Sequence, residues 1–246
     1  MSARLNLREP FSPGSSPMVN IVKKDGFLFL DLDGTIADSG TGITTALNHV
    51  FAREGLAHLT ETEARWILGP PFQSTVPTLL ETRGVDPSRS DYFIHEYREL
   101  YKAEHLARTE LIAGMREALV ALSQRFVLSV VTAKPKVQAD IAVRATKIDH
   151  HMVTVVGPGE SKPQPKAELL QQAMREVHDA LGVRPGLHES WMIGDRHHDI
   201  DAATEVGTHS VGVLWGYGDE EELYRAGATH LVKHPTELVQ LLTSLV

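Results

Sequence analysis

The sequence contains no cysteine. A disulfide framework, a thiolate metal site and a cysteine nucleophile are therefore excluded, and a reducing compartment, the cytoplasm, is the expected location. Nor is there an apolar run approaching the roughly 18 residues needed to span a bilayer, so no membrane partner is expected. Basic residues are outnumbered: Lys plus Arg is 24 against 32 for Asp plus Glu, a formal net charge of −8. That balance argues against binding a nucleic-acid polymer through its phosphates. What remains is ordinary. Hydrophobic residues make up 42 % and charged residues 23 %, which excludes a wholly disordered or collagen-like chain. At 246 residues, one large domain with a sizeable insertion can be built.

The first residues, SARLNLREPFSPGSSPM, are rich in Ser and Pro and lack apolar periodicity. Residues 1–19 read as a disordered tail, with order beginning near Asn20. A transit peptide is the lesser alternative, since its arginines are few and Glu9 interrupts them. Beyond the tail, short apolar runs alternate with helical patterns. Strand candidates are residues 26–34 (GFLFLDLDG), 126–132, 152–156, 191–194, 210–214 and 230–232. Helical spacing covers 114–124, 137–146, 166–181, 199–206 and 220–226. Strands alternating with helices predict an α/β fold, a parallel Rossmann-like sheet with helices on both faces. From about residue 40 to 111 only helical patterns appear. The block reads as an α-helical domain inserted after the first strand, with chain crossings near Asp38 and Ile112. The core is then 20–39 plus 112–246.

Ligands of open α/β sheets bind beyond the carboxyl ends of the strands. Polar residues stand at three such ends: Asp31 and Asp33 after FLFL, Thr132 after VLSVV, and Asp195 after WMIG, with Asp199 four residues on. Packing does not need carboxylates there. Two acids two residues apart and a third from a distant strand can share one hard cation such as Mg²⁺. The competing reading makes each a helix cap or turn residue.

DLDGTIADS at 31–39, VVTAKP at 130–135 and GDRHHD at 194–199 stand in the order and spacing of the DxDGT, Thr/Ser and GDxxxD motifs. On these residues the chain resembles the haloacid dehalogenase superfamily in its phosphatase form, over about residues 26–245. The helical block after the first motif resembles the family's C1 cap. TAKP, ESKPQP and GVLWGYG are most similar to phosphoglycolate phosphatases and their nearest relatives.

The resemblance implies a phosphoryl-transfer mechanism. Asp31 is the expected nucleophile, forming an aspartyl-phosphate, and Asp33 the expected acid and base. Relatives that cleave carbon–halogen bonds lack an acid at the second position, so Asp33 favours phosphate chemistry. The implied Mg²⁺ ligands are Asp31, the main-chain carbonyl of Asp33, and Asp195, with Asp199 a ligand or its neighbour. Thr132 is expected on a phosphoryl oxygen. Gly34, with Thr35 and Ala133, is expected to meet the phosphate, Gly34 turning the backbone so that N–H groups stay free to cradle it. For the motif lysine, Lys162 in KPQP is the first choice and Lys166, opening KAELLQQA, the other. Lys134 reads as a solvated loop lysine.

Other signals point less far. Counted from Asp31, the glycine and glutamate positions of a calcium loop hold Ile36 and Gly42, so that loop is absent. GYG at 216–218 is no dinucleotide fingerprint, and neither HExxH nor GxSxG occurs. His197 and His198 read as solvated loop residues, the sharper alternative being that they alter charge near the metal. Tyr92, Phe93, Tyr97 and Tyr101 form a stripe expected in the core of the helical block. The GPPFQSTVP loop, 69–77, is expected to face substrate, with Gln73 and Ser74 offering hydrogen bonds. Arg65 and Arg83 pair either a substrate carboxylate or neighbouring acids. The expected activity is Mg²⁺-dependent hydrolysis of a small phosphorylated metabolite, 2-phosphoglycolate first. A nucleoside monophosphate and a phosphomutase resembling β-phosphoglucomutase are the alternatives, a non-catalytic binding protein the remotest. The chain is expected as a monomer or a homodimer.

Overall fold

The computed structural model describes residues 24–160 and 162–245, so the expected tail at 1–19 lies outside the described residues. Six parallel strands form the main sheet: β1 (Gly26–Leu30), β4 (Phe126–Val131), β5 (Met152–Val156), β6 (Ser190–Gly194), β7 (His209–Val213) and β8 (His230–Val232). Their order is β5-β4-β1-β6-β7-β8, which puts the first strand between β4 and β6. Every residue of β1 and β4 is buried. Such strands need apolar residues on both faces, as GFLFL and FVLSVV supply. Leu28 and Leu30 join the core on one face, and Phe27 and Phe29 that on the other.

Helices cover both faces. α5 (Met115–Arg125), α6 (Lys136–Ala145) and α10 (Pro235–Ser244) pack on the Leu28 side. The Phe27 side receives α7 (Lys166–Leu181) and α8 (His197–Val206). α9 (Glu220–Arg225) joins β7 to β8. Strand positions agree with the sequence reading to within a few residues. α10 carries no helical expectation from the sequence. Its buried Leu238 and Leu242 repeat at helical spacing behind a proline at the first turn, where a missing N–H costs nothing.

Between β2 (Ala37–Asp38) and β3 (Glu110–Leu111) lie α1 (Gly40–Arg53), α2 (Glu61–Ile67), α3 (Phe72–Glu81) and α4 (Ser90–Glu104). The helical block thus contains a strand after all. β2 and β3 pair antiparallel, and the Ile112 N–H donates to the Ile36 carbonyl at 3.0 Å, so both crossings are tied into one hairpin. α3 is a further correction, because residues 72–77 are helix and not loop, with Pro77 tolerated inside it. α1 buries Ile43, Ala46, Leu47, Val50 and Phe51, and α4 buries Phe93, Ile94, Tyr97 and Tyr101, both at i, i+3, i+4 spacing. Tyr92 is on the exposed side. Among the described residues no helix is long and apolar enough to cross a membrane.

α2 starts with a capping box, Thr60 and Glu63. The same Glu63 carboxylate receives Arg83 in a fork, 2.8 and 2.9 Å, while Arg83 also bonds the Ala57 and His58 carbonyls. Arg83 is therefore a structural tie and not a substrate ligand. Its hydrogen bonds, followed by those from Thr60, hold the Glu63 carboxyl at about 2, below the ordinary 4.5. A depressed folded value means stability present above 4.5 and lost as pH falls towards 2. Glu63→Gln should cost about 1 kcal/mol at pH 7 for this partly screened pair. In urea titrations the gap to wild type should close between pH 4.5 and 2; a constant gap contradicts the ion-pair account.

Candidate active site

At the carboxyl end of the sheet, Asp31 follows β1 and its N–H donates to the Ile193 carbonyl at 2.8 Å, clamping it between β1 and β6. Asp195 follows β6, and Asp199 lies in the first turn of α8. One carboxylate oxygen from each of Asp31, Asp195 and Asp199 lies within 4.8 Å of the others, and all three residues are buried. Lys166 opens α7. Its Nζ stands 2.6 Å from Asp31 Oδ1 and 2.8 Å from Asp199 Oδ1. Further donors fix three of the remaining four oxygens. The Thr35 hydroxyl donates to Asp195 Oδ1 at 2.9 Å, the Tyr217 N–H to Asp195 Oδ2 at 2.8 Å, and the Arg196 N–H to Asp199 Oδ2 at 3.2 Å.

Counted as ions, the three acids and one ammonium leave a charge of −2 in a buried site. Burial, then repulsion from Asp31 and Asp199, pushes the Asp195 carboxyl up to about 8. Asp31 is likewise raised by burial, with Lys166 holding it down. Burial works against the Lys166 charge, but Asp199 and Asp31 more than offset it and raise its pKa. A divalent cation would bring the count to zero, and an all-oxygen donor set suits a hard ion such as Mg²⁺. The residues present fit that group.

Asp33 faces a neighbouring cavity of about 70 Å³ whose walls include Leu68, Gln73, Tyr97, Ala133 and Lys134. Ser39 donates to Asp33 Oδ1, and Lys134 Nζ lies 3.1 Å from Asp33 Oδ2. Lys134 is buried, not solvated, because Tyr101 of α4 covers it, its hydroxyl 3.3 Å away and its ring centroid 4.7 Å. Burial opposes the Lys134 charge, yet Asp33 and the tyrosines raise its pKa. Thr132 is buried at the end of β4. The Lys134 N–H donates to its Oγ1 at 3.2 Å, leaving the hydroxyl hydrogen to donate elsewhere.

The structure therefore brings Asp31, Asp195, Asp199 and Lys166 together, with Asp33 and Ala133 at the adjoining cavity and Thr132 buried where β4 ends. Lys162 is placed otherwise. It is exposed and forms an isolated bridge with Gly159, so Lys166 is the lysine in the cluster. The Thr35 hydroxyl is engaged with Asp195, and the Gly34 N–H donates to the Ala37 carbonyl at 2.9 Å instead of standing free. Gln73 lines the cavity, whereas Ser74 is exposed and donates to the Pro71 carbonyl at 2.6 Å. His197 and His198 open α8 and are not loop residues. His197 faces Glu222 at 2.8 Å, and burial with nearby Lys166 lowers His198 to about 3. Sequence reasoning missed Ser39, Tyr217 and Arg196. Their signal was proximity to the motifs, Ser39 at the end of DLDGTIADS and Arg196 inside GDRHHD.

The family model for haloacid dehalogenase-like hydrolases matches residues 28–213. The chain belongs to that family. The chain is 31 % identical over 218 residues to a 5'-nucleotidase of Pseudomonas aeruginosa, 88 % of this chain and 95 % of that protein. It is 30 % identical to the tyrosine-protein kinase PtkA of Mycobacterium tuberculosis over 240 residues, 97 % and 76 % of the two chains. Its fold matches a predicted phosphatase from Clostridium acetobutylicum with a TM-score of 0.79 and 26 % identity, covering 90 % and 99 %.

Gly34 illustrates how tightly the hydrolase site is wrapped. Its φ is +84°, and a Cβ there would stand 2.5 Å from Asp195 Oδ2 and 2.7 Å from the Tyr217 ring. Gly55 has φ +70° with open space around it. Thermal and urea unfolding should find Gly55→Ala costing about 1 kcal/mol from backbone strain alone, and Gly34→Ala about 3 kcal/mol or more. Equal costs would contradict the close approach.

Proposed function

We propose that this phosphatase is Mg²⁺-dependent and hydrolyses a small phosphate monoester, 2-phosphoglycolate first, through an aspartyl-phosphate on Asp31. One observation carries the reading: a buried carboxylate at the end of β1, neutralised by Lys166, with a second acid two residues on that faces a small cavity. The cavity beside Asp33 is lined by Gln73, Arg98 and Lys134, polar and cationic side chains that suit a small anionic leaving group such as glycolate. A nucleoside monophosphate and a mutase substrate are the alternatives, and the same catalytic residues would serve them. Residues 40–111 act as a cap over a core of 20–39 and 112–246, and closing it excludes water.

In this reading, a carboxylate oxygen of Asp31 bonds to phosphorus while the bond to the leaving oxygen breaks, and Asp33 delivers a proton to that oxygen. Water then attacks the phosphoryl phosphorus, Asp33 takes its proton, and phosphate and the Asp31 carboxylate are restored. Ser39 and Lys134 hold both oxygens of the resting Asp33 carboxylate, so one of these contacts gives way and Asp33 takes up a proton before it acts as the acid. Thr132 donates to a phosphoryl oxygen, and Lys166 offsets charge as two anions approach. Asp31, Asp195 and Asp199 would hold Mg²⁺, which when bound supplies Lewis-acid polarisation of phosphoryl oxygens.

Phosphate release from 2-phosphoglycolate, nucleoside monophosphates, sugar phosphates and pyrophosphate is the direct test. A metal-dependent preference for phosphoglycolate supports the assignment. Isomerised product without phosphate release points to the mutase, and transfer from ATP to protein tyrosine to a kinase. Asp31→Asn should lower turnover by at least about 10³-fold with the fold intact. Lys166→Ala should cost about 10²- to 10³-fold, and Lys162→Ala should stay close to wild type. Chelation should abolish activity, Mg²⁺ should restore it, and Mg²⁺ should raise the melting temperature of the resting enzyme. Equal losses at the two lysines would contradict the assignment of Lys166.

A further inference from the structure

Arg196 lies between two of the acids in sequence, yet its side chain leaves them and crosses to the helical insertion. Its guanidinium is buried, with side-chain exposure of 8 %. On the core side Nε donates to Glu222 Oε1 at 2.9 Å. On the insertion side Nη1 donates to the Leu68 carbonyl and approaches the Arg65 carbonyl at 3.4 Å. Both carbonyls belong to the last turn and cap of α2, whose orphan acceptors carry the negative end of the helix dipole and attract a cation. Room for this is specific. Gly69 has φ +108°, and a Cβ on it would stand 2.8 Å from Arg196 Cγ.

We propose that Arg196 is a positioning residue that latches the insertion closed against the acid cluster. Its main chain reports to that cluster directly, the Arg196 N–H donating to Asp199 and Asp195 preceding it in sequence. Movement of α2 away from the sheet strips two acceptors from a buried guanidinium and leaves Glu222 as its partner. Glu222 keeps the charge paired, but the guanidinium loses two of its acceptors, so the bonds to Leu68 and Arg65 bias the two-state opening of the insertion towards closure. Arg98 and Lys134 also bridge insertion and core, Arg98 donating to the Glu160 carbonyl at 2.6 Å and Lys134 to the Tyr101 hydroxyl at 3.3 Å. Arg196 differs in sharing its own backbone with the acids. The latch concerns the resting chain and stands whatever the substrate is.

The absence of cysteine makes the test clean. Thr62, exposed on α2, and Glu205, exposed on α8, are replaced by cysteine, labelled with a dye pair, and the interdye distance is followed in the ligand-free full chain by single-molecule energy transfer. Arg196→Gln should raise the ratio of open to closed molecules by about tenfold, the scale of losing a charge-assisted hydrogen bond. Arg196→Lys keeps a charge that reaches one carbonyl and should fall between the two. Unfolding curves confirm that the variants are folded. A folded Arg196→Gln with the wild-type distance distribution overturns the proposal. If that variant does not fold, Arg196→Lys decides: a partial opening supports the latch, and an unchanged distribution overturns it.

Discussion

Three carboxylates, Asp31, Asp195 and Asp199, meet in a space from which water is largely excluded, and one ammonium, that of Lys166, stands between two of them. Desolvating each ion costs several kcal/mol, so this grouping persists only where geometry and hydrogen bonds offset it. Much of the surrounding architecture answers that demand. The β1–β6 pairing holds Asp31, the Thr35 hydroxyl and Tyr217 N–H hold Asp195, and the start of α8 holds Asp199. The Trp215 indole donates to the Thr35 carbonyl at 3.1 Å, so the segment after β7 wraps the turn that follows β1. The residual charge of the cluster is what makes a divalent cation its natural complement.

Beside this centre lies a second, neutral arrangement. Asp33 is paired with Lys134, and Tyr101 from α4 covers the pair. One acid therefore sits among like charges beside Lys166, and its neighbour two residues on sits against a lysine and a hydroxyl. Different surroundings for two chemically identical side chains are how a site assigns different roles to them. Placing that second pair under an insertion helix also links the acid to whatever the insertion does.

Much of this was legible in the sequence. Continuous apolar runs marked the buried strands, and acids at their ends marked the site, because neither pattern has a packing alternative of comparable economy. Other features were not. β2 and β3 are two residues each, too short for any period to show. α3 begins after Gly-Pro-Pro and contains Pro77, signals that normally mean loop. Lys134 looked like a solvated lysine because its partners Asp33 and Tyr101 are remote in sequence, and only the fold brings them together. The choice between Lys162 and Lys166 turned on one helix start: α7 begins at Lys166, so its side chain points from the first turn into the acids.

The central claim is that Asp31 carries the phosphoryl group. The most direct measurement is to acid-quench the enzyme during turnover with Mg²⁺ and 2-phosphoglycolate, reduce with borohydride, and map the digest by mass spectrometry. A phosphorylated aspartate is converted to homoserine by this treatment. The account predicts homoserine at position 31, dependent on substrate and absent from Asp31→Asn. Steady phosphate release with Asp31 unmodified, or modification at another acid, would contradict it.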